Sequence, residues 1–364
     1  MTALAATLKQ SIRNDGPISV AEYMRIVLTG RADSYYTRGE AFGAAGDFVT
    51  APEISQVFGE LIGLWCVDIW RQLASPASFS LVELGPGRGT LMKDALRAAR
   101  LAPKFLEAAA ISLVEVSPVL RRVQSEALRD VPVASLQWLD RFEDFAGVGP
   151  VIVVANEFFD ALPMRQFVRV AKGWAERCIG LDHAGEFIFG AAPDAMNAAC
   201  IPSALRQAPL GAIVEIAPVR SNLARIIGER LRDGSGACLV IDYGFSGPAV
   251  GDTLQAVRQH AYADVLREPG AADVTSHVDF AALGDAFAEG GVSGRESAGQ
   301  GPFLQRLGAL ERVDALKRSA NTLQREQLEA AHQRLTAADA MGSLFKVLCA
   351  FSPATLQPAG FAVE

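Results

Sequence analysis

The chain has 364 residues, half of them apolar and 21% charged, and a net charge of -7. That length allows two domains, or one domain with large insertions, and that apolar fraction supports a sizeable core. The acidic balance, without a basic run, argues against a general nucleic-acid binder, because phosphate binding needs clustered Lys and Arg. The longest apolar runs, such as Val151-Ile152-Val153-Val154-Ala155, are strand-sized and far short of a membrane span, so no membrane insertion is expected. Met1–Lys9 shows no secretory pattern, which predicts a cytoplasmic protein. The five cysteines (66, 178, 200, 238 and 349) lie far apart and read as buried, reduced thiols. The four histidines are scattered and suggest no metal site.

Residues 1–75 read as a helical N-terminal extension. Gly39–Asp47 is a Gly-rich loop. A strong helix is predicted after Thr50, where Thr50-Ala51-Pro52-Glu53 has capping-box spacing with Pro in the first turn. Ile54, Val57, Phe58, Leu61, Ile62, Trp65 and Ile69 then recur at helical spacing. From residue 76 to 364 the pattern is α/β. Strands are predicted at Phe79–Leu84, Ile111–Val116, Ser135–Leu139 and Val151–Ala155, with helices at Thr90–Arg100 and Val119–Arg129. Such units imply right-handed crossovers and a mostly parallel, Rossmann-like sheet. Residues 164–215 carry an antiparallel insertion, with strands in 164–190 and turns at Lys172-Gly173 and His183-Ala184-Gly185. The main fold resumes with a helix at 218–232 and a strand at Ala237–Asp242. A second insertion, 246–335, is loop-like to 275 and then largely helical, with a short strand near Val292–Arg295. A final strand is predicted at Leu344–Phe351.

Three stretches carry chemistry. In Glu83-Leu84-Gly85-Pro86-Gly87-Arg88-Gly89 a strand runs into a three-glycine turn and a helix, which brings backbone close to a ligand. The spacing is Gly-x-Gly-x-Gly, not the Gly-x-Gly-x-x-Gly of dinucleotide binders. A dinucleotide rests its pyrophosphate on a helix N-terminus. S-adenosylmethionine has no phosphate, and its methionine half can lie across the turn, with Glu83 attracting its ammonium. Glu115 ends the next strand, where an acid accepts hydrogen bonds from ribose hydroxyls. Together these two signals point to nucleoside binding and leave S-adenosylmethionine and NAD both open. The third stretch is Asn156-Glu157-Phe158-Phe159-Asp160, after the fourth strand. Asn156 faces the cofactor's reacting end, and the carboxylates of Glu157 and Asp160 suit a cationic nucleophile such as a guanidinium. The plainer alternative for both acids is a helix N-terminus favoured by the macrodipole. Asp242, ending its own strand, is a third candidate carboxylate. His277, with Asp279 nearby, is a candidate that is more often structural than catalytic.

Gly46–Ser55, Val82–Leu91, Asn156–Pro163, Ile241-Asp242-Tyr243-Gly244 and Thr275–Phe280 together resemble the MidA family across roughly residues 15–350. The resemblance implies a class I S-adenosylmethionine-dependent methyltransferase. It also implies a protein substrate, since the mitochondrial members are complex I assembly factors that act as protein arginine methyltransferases. A respiratory-complex subunit is the partner it suggests. On this reading S-adenosylmethionine is the cofactor, Glu83, Gly85, Gly87, Gly89, Glu115 and Asn156 bind it, and Glu157, Asp160, Asp242 and His277 serve catalysis. The Gly-rich loop, with Thr50, Pro52 and Glu53, is expected to close over the cofactor as a lid. Val257–Tyr262 is less basic and less aromatic than the family pattern, which separates the substrate question from the cofactor question. An assembly chaperone that binds the cofactor without transferring its methyl group, and a small-molecule methyltransferase, are the competing readings.

Overall fold

The computed structural model describes residues 2–30, 33–37, 50–193 and 198–362. Its contacts divide the chain into two compact units. The sheet unit comprises Val49–Phe158, Leu223–Gly244 and Leu283–Glu364. The insert unit comprises Met1–Phe48, Phe159–Asn222 and Phe245–Ala282.

Seven strands form the main path of the central sheet: β1 Phe79–Leu84, β2 Ala109–Val114, β3 Ser135–Leu139, β4 Val151–Asn156, β5 Gly236–Phe245, β6 Gly294–Gly299 and β7 Phe345–Ser352. Their spatial order is β6-β7-β5-β4-β1-β2-β3. The first five run parallel, and β7 is antiparallel to both β5 and β6. A dinucleotide fold orders its strands 3-2-1-4-5-6. Here an antiparallel strand stands between β5 and β6, a departure from that order which joins the glycine spacing. β1 and β4 are buried at every position, which explains their unbroken apolar runs. The order reverses between β1 and β4, and in open α/β sheets the crevice beyond the carboxyl ends at such a point is the usual ligand site.

The predicted long helix after Thr50 is two helices, Ala51–Ile54 and Gln56–Gln72. Ser55 is extended, with φ -155° and ψ 132°, and its hydroxyl accepts from the Val57 amide at 3.2 Å. Thr50 makes no side-chain cap, so the capping box does not form. Spacing alone cannot report such a break, because the apolar period continues through it. The second helix lies close against Thr90–Ala98. A Cβ at Gly63 would meet the Ala95 backbone at 2.4 Å, and one at Gly59 would meet Asp94 Cβ at 2.7 Å. That approach anchors the helix that follows the glycine turn.

In the insert unit, Arg165–Val170, Gly173–Leu181 and Phe187–Ala191 form the antiparallel sheet read from the sequence. Ile213–Ile216 and Ile18–Ser19 add strands at its two sides. Helices Ala3–Asp15 and Val20–Leu28 contribute Leu4, Leu8, Met24 and Val27 to a core with Met164, Ile179 and Val274. The stretch predicted as loop instead holds a small antiparallel sheet, with Gln255–Arg258 between Ala261–Ala263 and Asp273–Thr275. Strands of three or four residues are too short to display an alternation. Their hairpin also turns through Gln259 and His260, at φ 51° and 61°, without the Asn-Gly signature of such turns. Cys66, Cys238 and Cys349 are buried, as expected, and burial raises all three thiols. Cys178 is half-buried and Cys200 exposed, contrary to the expectation of five buried thiols.

Candidate active site

The chain leaves β1 at Leu84 and turns through Gly85, Gly87 and Gly89 at φ +63°, +52° and +80°. All three lie in the left-handed region, where side chains with a Cβ are strained. The Gly85 amide donates to the Val114 carbonyl at 3.0 Å, and the Gly89 amide to the Pro86 carbonyl at 2.7 Å. A Cβ at Gly85 would stand 2.7 Å from Phe158 Cδ2, so the turn also packs against the chain after β4.

The Thr50–Glu53 stretch is joined to this turn. Glu53 accepts from the Thr90 hydroxyl at 2.5 Å and stands 4.0 Å from the Arg88 guanidinium. Ala51 and Pro52 are buried. The Ala51 amide donates to the Glu157 carboxylate at 3.0 Å, and Asn156 donates to the same oxygen at 3.3 Å. Glu157 itself has φ 49°, held by its amide donating to the Ile241 carbonyl at 2.9 Å. Its carboxylate is thus engaged in fixing the residues after Thr50. The Gly-rich part of the expected lid, 39–47, lies outside the described residues.

Glu83 is buried, and its Oε2 has no hydrogen-bond partner among the described residues. Burial pushes its carboxyl from 4.5 up to about 8. The Asn156 Oδ1 is likewise buried and unpartnered. Two adjacent strands therefore end in orphaned acceptors, which is costly unless a ligand supplies donors. Glu115 is oriented tightly: its carboxylate accepts from the Ser117 amide at 2.8 Å and from Gln124 at 3.2 Å. Burial raises its carboxyl, and these hydrogen bonds oppose the rise. Gln124 also donates to the Gly87 carbonyl at 2.7 Å and accepts from the Trp138 indole at 2.8 Å. One buried amide thus ties the glycine turn to the acid after β2. Asp242, with no exposed surface, accepts from the Tyr243 amide at 2.9 Å.

Asp160 and His277 belong to the insert unit. Asp160 is 5% exposed, and its carbonyl accepts from the Ser276 amide at 3.1 Å and from Arg220 at 2.9 Å. The His277 carbonyl accepts from the same guanidinium at 2.9 Å. Burial, then the charge of Arg220, lowers the His277 imidazole, which favours its neutral form. The Tyr36 hydroxyl donates to Asp273 at 2.8 Å. Burial, then the charges of Asp273 and Asp160, raises that phenol well above its ordinary value. Arg220, Gln124, Tyr36 and Asp273 were not singled out from the sequence. A lone Gln on the apolar face of helix Pro118–Ala127 was the one local signal among them.

The donor set fits S-adenosylmethionine. Orphaned Glu83 and Asn156 oxygens call for a cationic or donor-bearing group, the glycine turn admits a close chain, and the Glu115 carboxylate is held in one orientation.

Comparison with known proteins agrees. A family model described as "Putative S-adenosyl-L-methionine-dependent methyltransferase" matches residues 61–296, more than half of the chain. The Drosophila melanogaster protein arginine methyltransferase NDUFAF7 homolog, mitochondrial, is 36% identical, covering 96% of this chain and 85% of its own length. The Homo sapiens protein arginine methyltransferase NDUFAF7, mitochondrial, is 34% identical, covering 95% and 82%. A Burkholderia thailandensis protein crystallised with S-adenosyl-homocysteine superposes with a TM-score of 0.87 at 29% identity, covering 98% of this chain and 94% of that one. The cytoplasmic expectation is corrected, because these curated relatives are mitochondrial. Lack of a secretory pattern does not choose among compartments that hold soluble enzymes. Among the described residues no helix is long and apolar enough to cross a membrane. The chain belongs to the family of S-adenosylmethionine-dependent methyltransferases, and S-adenosylmethionine is its cofactor.

Proposed function

We propose that this enzyme methylates an arginine of a protein partner. The observation that carries the reading is its likeness, over nearly its whole length, to relatives named protein arginine methyltransferases. When bound, S-adenosylmethionine supplies an electrophilic methyl group on a sulfonium that departs as a neutral thioether. The work left to the chain is to position the acceptor nitrogen and take up its proton. Asp160 is the carboxylate proposed to pair with the guanidinium, and His277, favoured in its neutral form, is the proposed proton acceptor. Asp242 and Glu157, engaged by backbone amides, act as supports. Mass spectrometry of cells with and without the protein tests the reading. Loss of methylarginine at particular protein sites supports it, and loss of methyl groups only from small molecules contradicts it.

On the cofactor side, Glu115 is the proposed ribose acceptor. Glu115→Ala is expected to weaken binding by roughly 1–3 kcal/mol through lost charged hydrogen bonds. Calorimetry decides: unchanged affinity removes the assignment.

Glu83 is the proposed partner of the cofactor's ammonium. Its carboxyl holds its proton up to about pH 8, and pairing with a cation drives that proton off. Affinity is therefore expected to rise with pH toward about 8, until the cofactor's own ammonium gives up its proton. The same shift lowers the stability of the free protein from about pH 4.5 to 8, since the unfolded chain gives up the proton first and the folded chain retains it. Calorimetry in two buffers of different ionisation enthalpy should show proton release at pH 7 that vanishes in Glu83→Gln. Equal release in both proteins would locate the proton elsewhere.

A further inference from the structure

Arg220 stands in the first turn of helix Pro218–Gly234 and is 4% exposed. Its guanidinium donates five hydrogen bonds to the described residues of two chain segments. Nε reaches the Leu162 carbonyl at 3.2 Å, and the NH1 group the His277 carbonyl at 2.9 Å. The NH2 group reaches the Asp160 carbonyl at 2.9 Å, the Leu162 carbonyl at 2.9 Å and the Ser276 hydroxyl at 2.6 Å. One planar fork thus holds both segments that carry the acceptor-side residues: the turn Asp160–Leu162 and the pair Ser276-His277. A lysine has the charge but not the fork.

The second segment is fixed from its other side. The His277 amide donates to the Thr253 hydroxyl at 2.9 Å, and that hydroxyl donates to Glu215 at 2.5 Å. Glu215 also accepts from the Thr253 amide at 2.9 Å and from Gln166 at 2.7 Å. A polar chain therefore runs from Glu215 through Thr253 and His277 to Arg220 and Asp160. Polar groups linked in this way favour one geometry.

We propose that Arg220 is the positioning residue of the acceptor side, setting the mutual placement of Asp160 and His277 without touching substrate. This rests on the reading of those two residues under the proposed function. Methyl transfer needs its groups within a fraction of an ångström of their working places, and a misplacement of about 1 Å costs on the order of a hundredfold. The residues proposed for the cofactor belong to the sheet unit, whereas the partners of Arg220 named above all belong to the insert unit.

The test uses the full chain with Arg220→Met, Arg220→Lys and Asp160→Asn, a methyl-accepting protein and S-adenosylmethionine. Arg220→Met is expected to lower kcat about a hundredfold, while the cofactor KM changes less than about twofold. Added guanidinium ion, at concentrations that leave the wild type folded, should restore part of the rate in Arg220→Met and none in Asp160→Asn. Should Arg220→Met fail to fold, Arg220→Lys, which keeps the charge, is expected to fold and to lose about tenfold in kcat at unchanged cofactor KM. A wild-type kcat in folded Arg220→Lys, or kcat and cofactor affinity falling together in either variant, overturns the inference. Wild-type transfer by Asp160→Asn instead overturns the acceptor reading beneath it.

Discussion

Gly85→Val is expected to abolish cofactor binding, with a loss of affinity beyond about a hundredfold. Two independent penalties converge on this position. Its φ of +63° is a genuine outlier for a β-branched residue. Its first side-chain carbon would also lie 2.7 Å from Phe158 Cδ2, well inside van der Waals contact. The turn must open, and it carries with it the Gly85 bond to Val114 and the start of helix Thr90–Ala98. A combined backbone and packing cost of a few kcal/mol is the size of effect that such sites produce. Gly85→Ala should be milder. Pairing it with Phe158→Leu should relieve the clash and leave the backbone penalty of about 1 kcal/mol. Titration with S-adenosylhomocysteine and thermal melts measure both consequences. Wild-type affinity in folded Gly85→Val would show that the turn is not where the cofactor lies.

Asp160→Asn is expected to lower methyl transfer about a hundredfold or more while leaving cofactor affinity unchanged. The substitution keeps shape and removes charge. Its backbone hydrogen bonds with Ser276 and Arg220 use the carbonyl and are kept, and thermal melts check the fold. A guanidinium is protonated until it reacts, and an amide neither localises its charge nor holds its fork. Single-turnover rates with saturating cofactor separate chemistry from binding. A wild-type rate on a verified protein substrate withdraws the role. Absence of transfer by the wild type to any partner, with partner assembly still dependent on the protein, favours the chaperone reading instead.

What could be read from the sequence follows physical rules. β1 and β4 were legible because strands buried on both faces become unbroken apolar runs. The glycine turn was legible because three left-handed positions in five residues demand glycine. Antiparallel strands 165–170, 173–181 and 187–191 announced themselves through turns at Gly173 and Gly185, with φ of 135° and 78°. Arg220 and Gln124 were not legible. Arg220 serves a carbonyl 58 residues away and Gln124 one 37 residues away, and no local pattern encodes such partners. The capping box read at Thr50–Glu53 fails for the same reason. The spacing of Glu53 from Thr50 matches a cap, yet it pairs with Thr90 across 37 residues of chain. Glu157 similarly accepts from the Ala51 amide, 106 residues earlier, a contact that no local pattern encodes.

The central claim, methyl transfer from S-adenosylmethionine to a protein arginine, is tested most directly by following a labelled methyl group. The purified chain is incubated with methyl-labelled S-adenosylmethionine and candidate partner proteins, and the label is located by peptide mass spectrometry. The account predicts label on an arginine side chain, dependent on the wild-type glycine turn and on Asp160. Label on another residue type, or on small molecules alone, would contradict it.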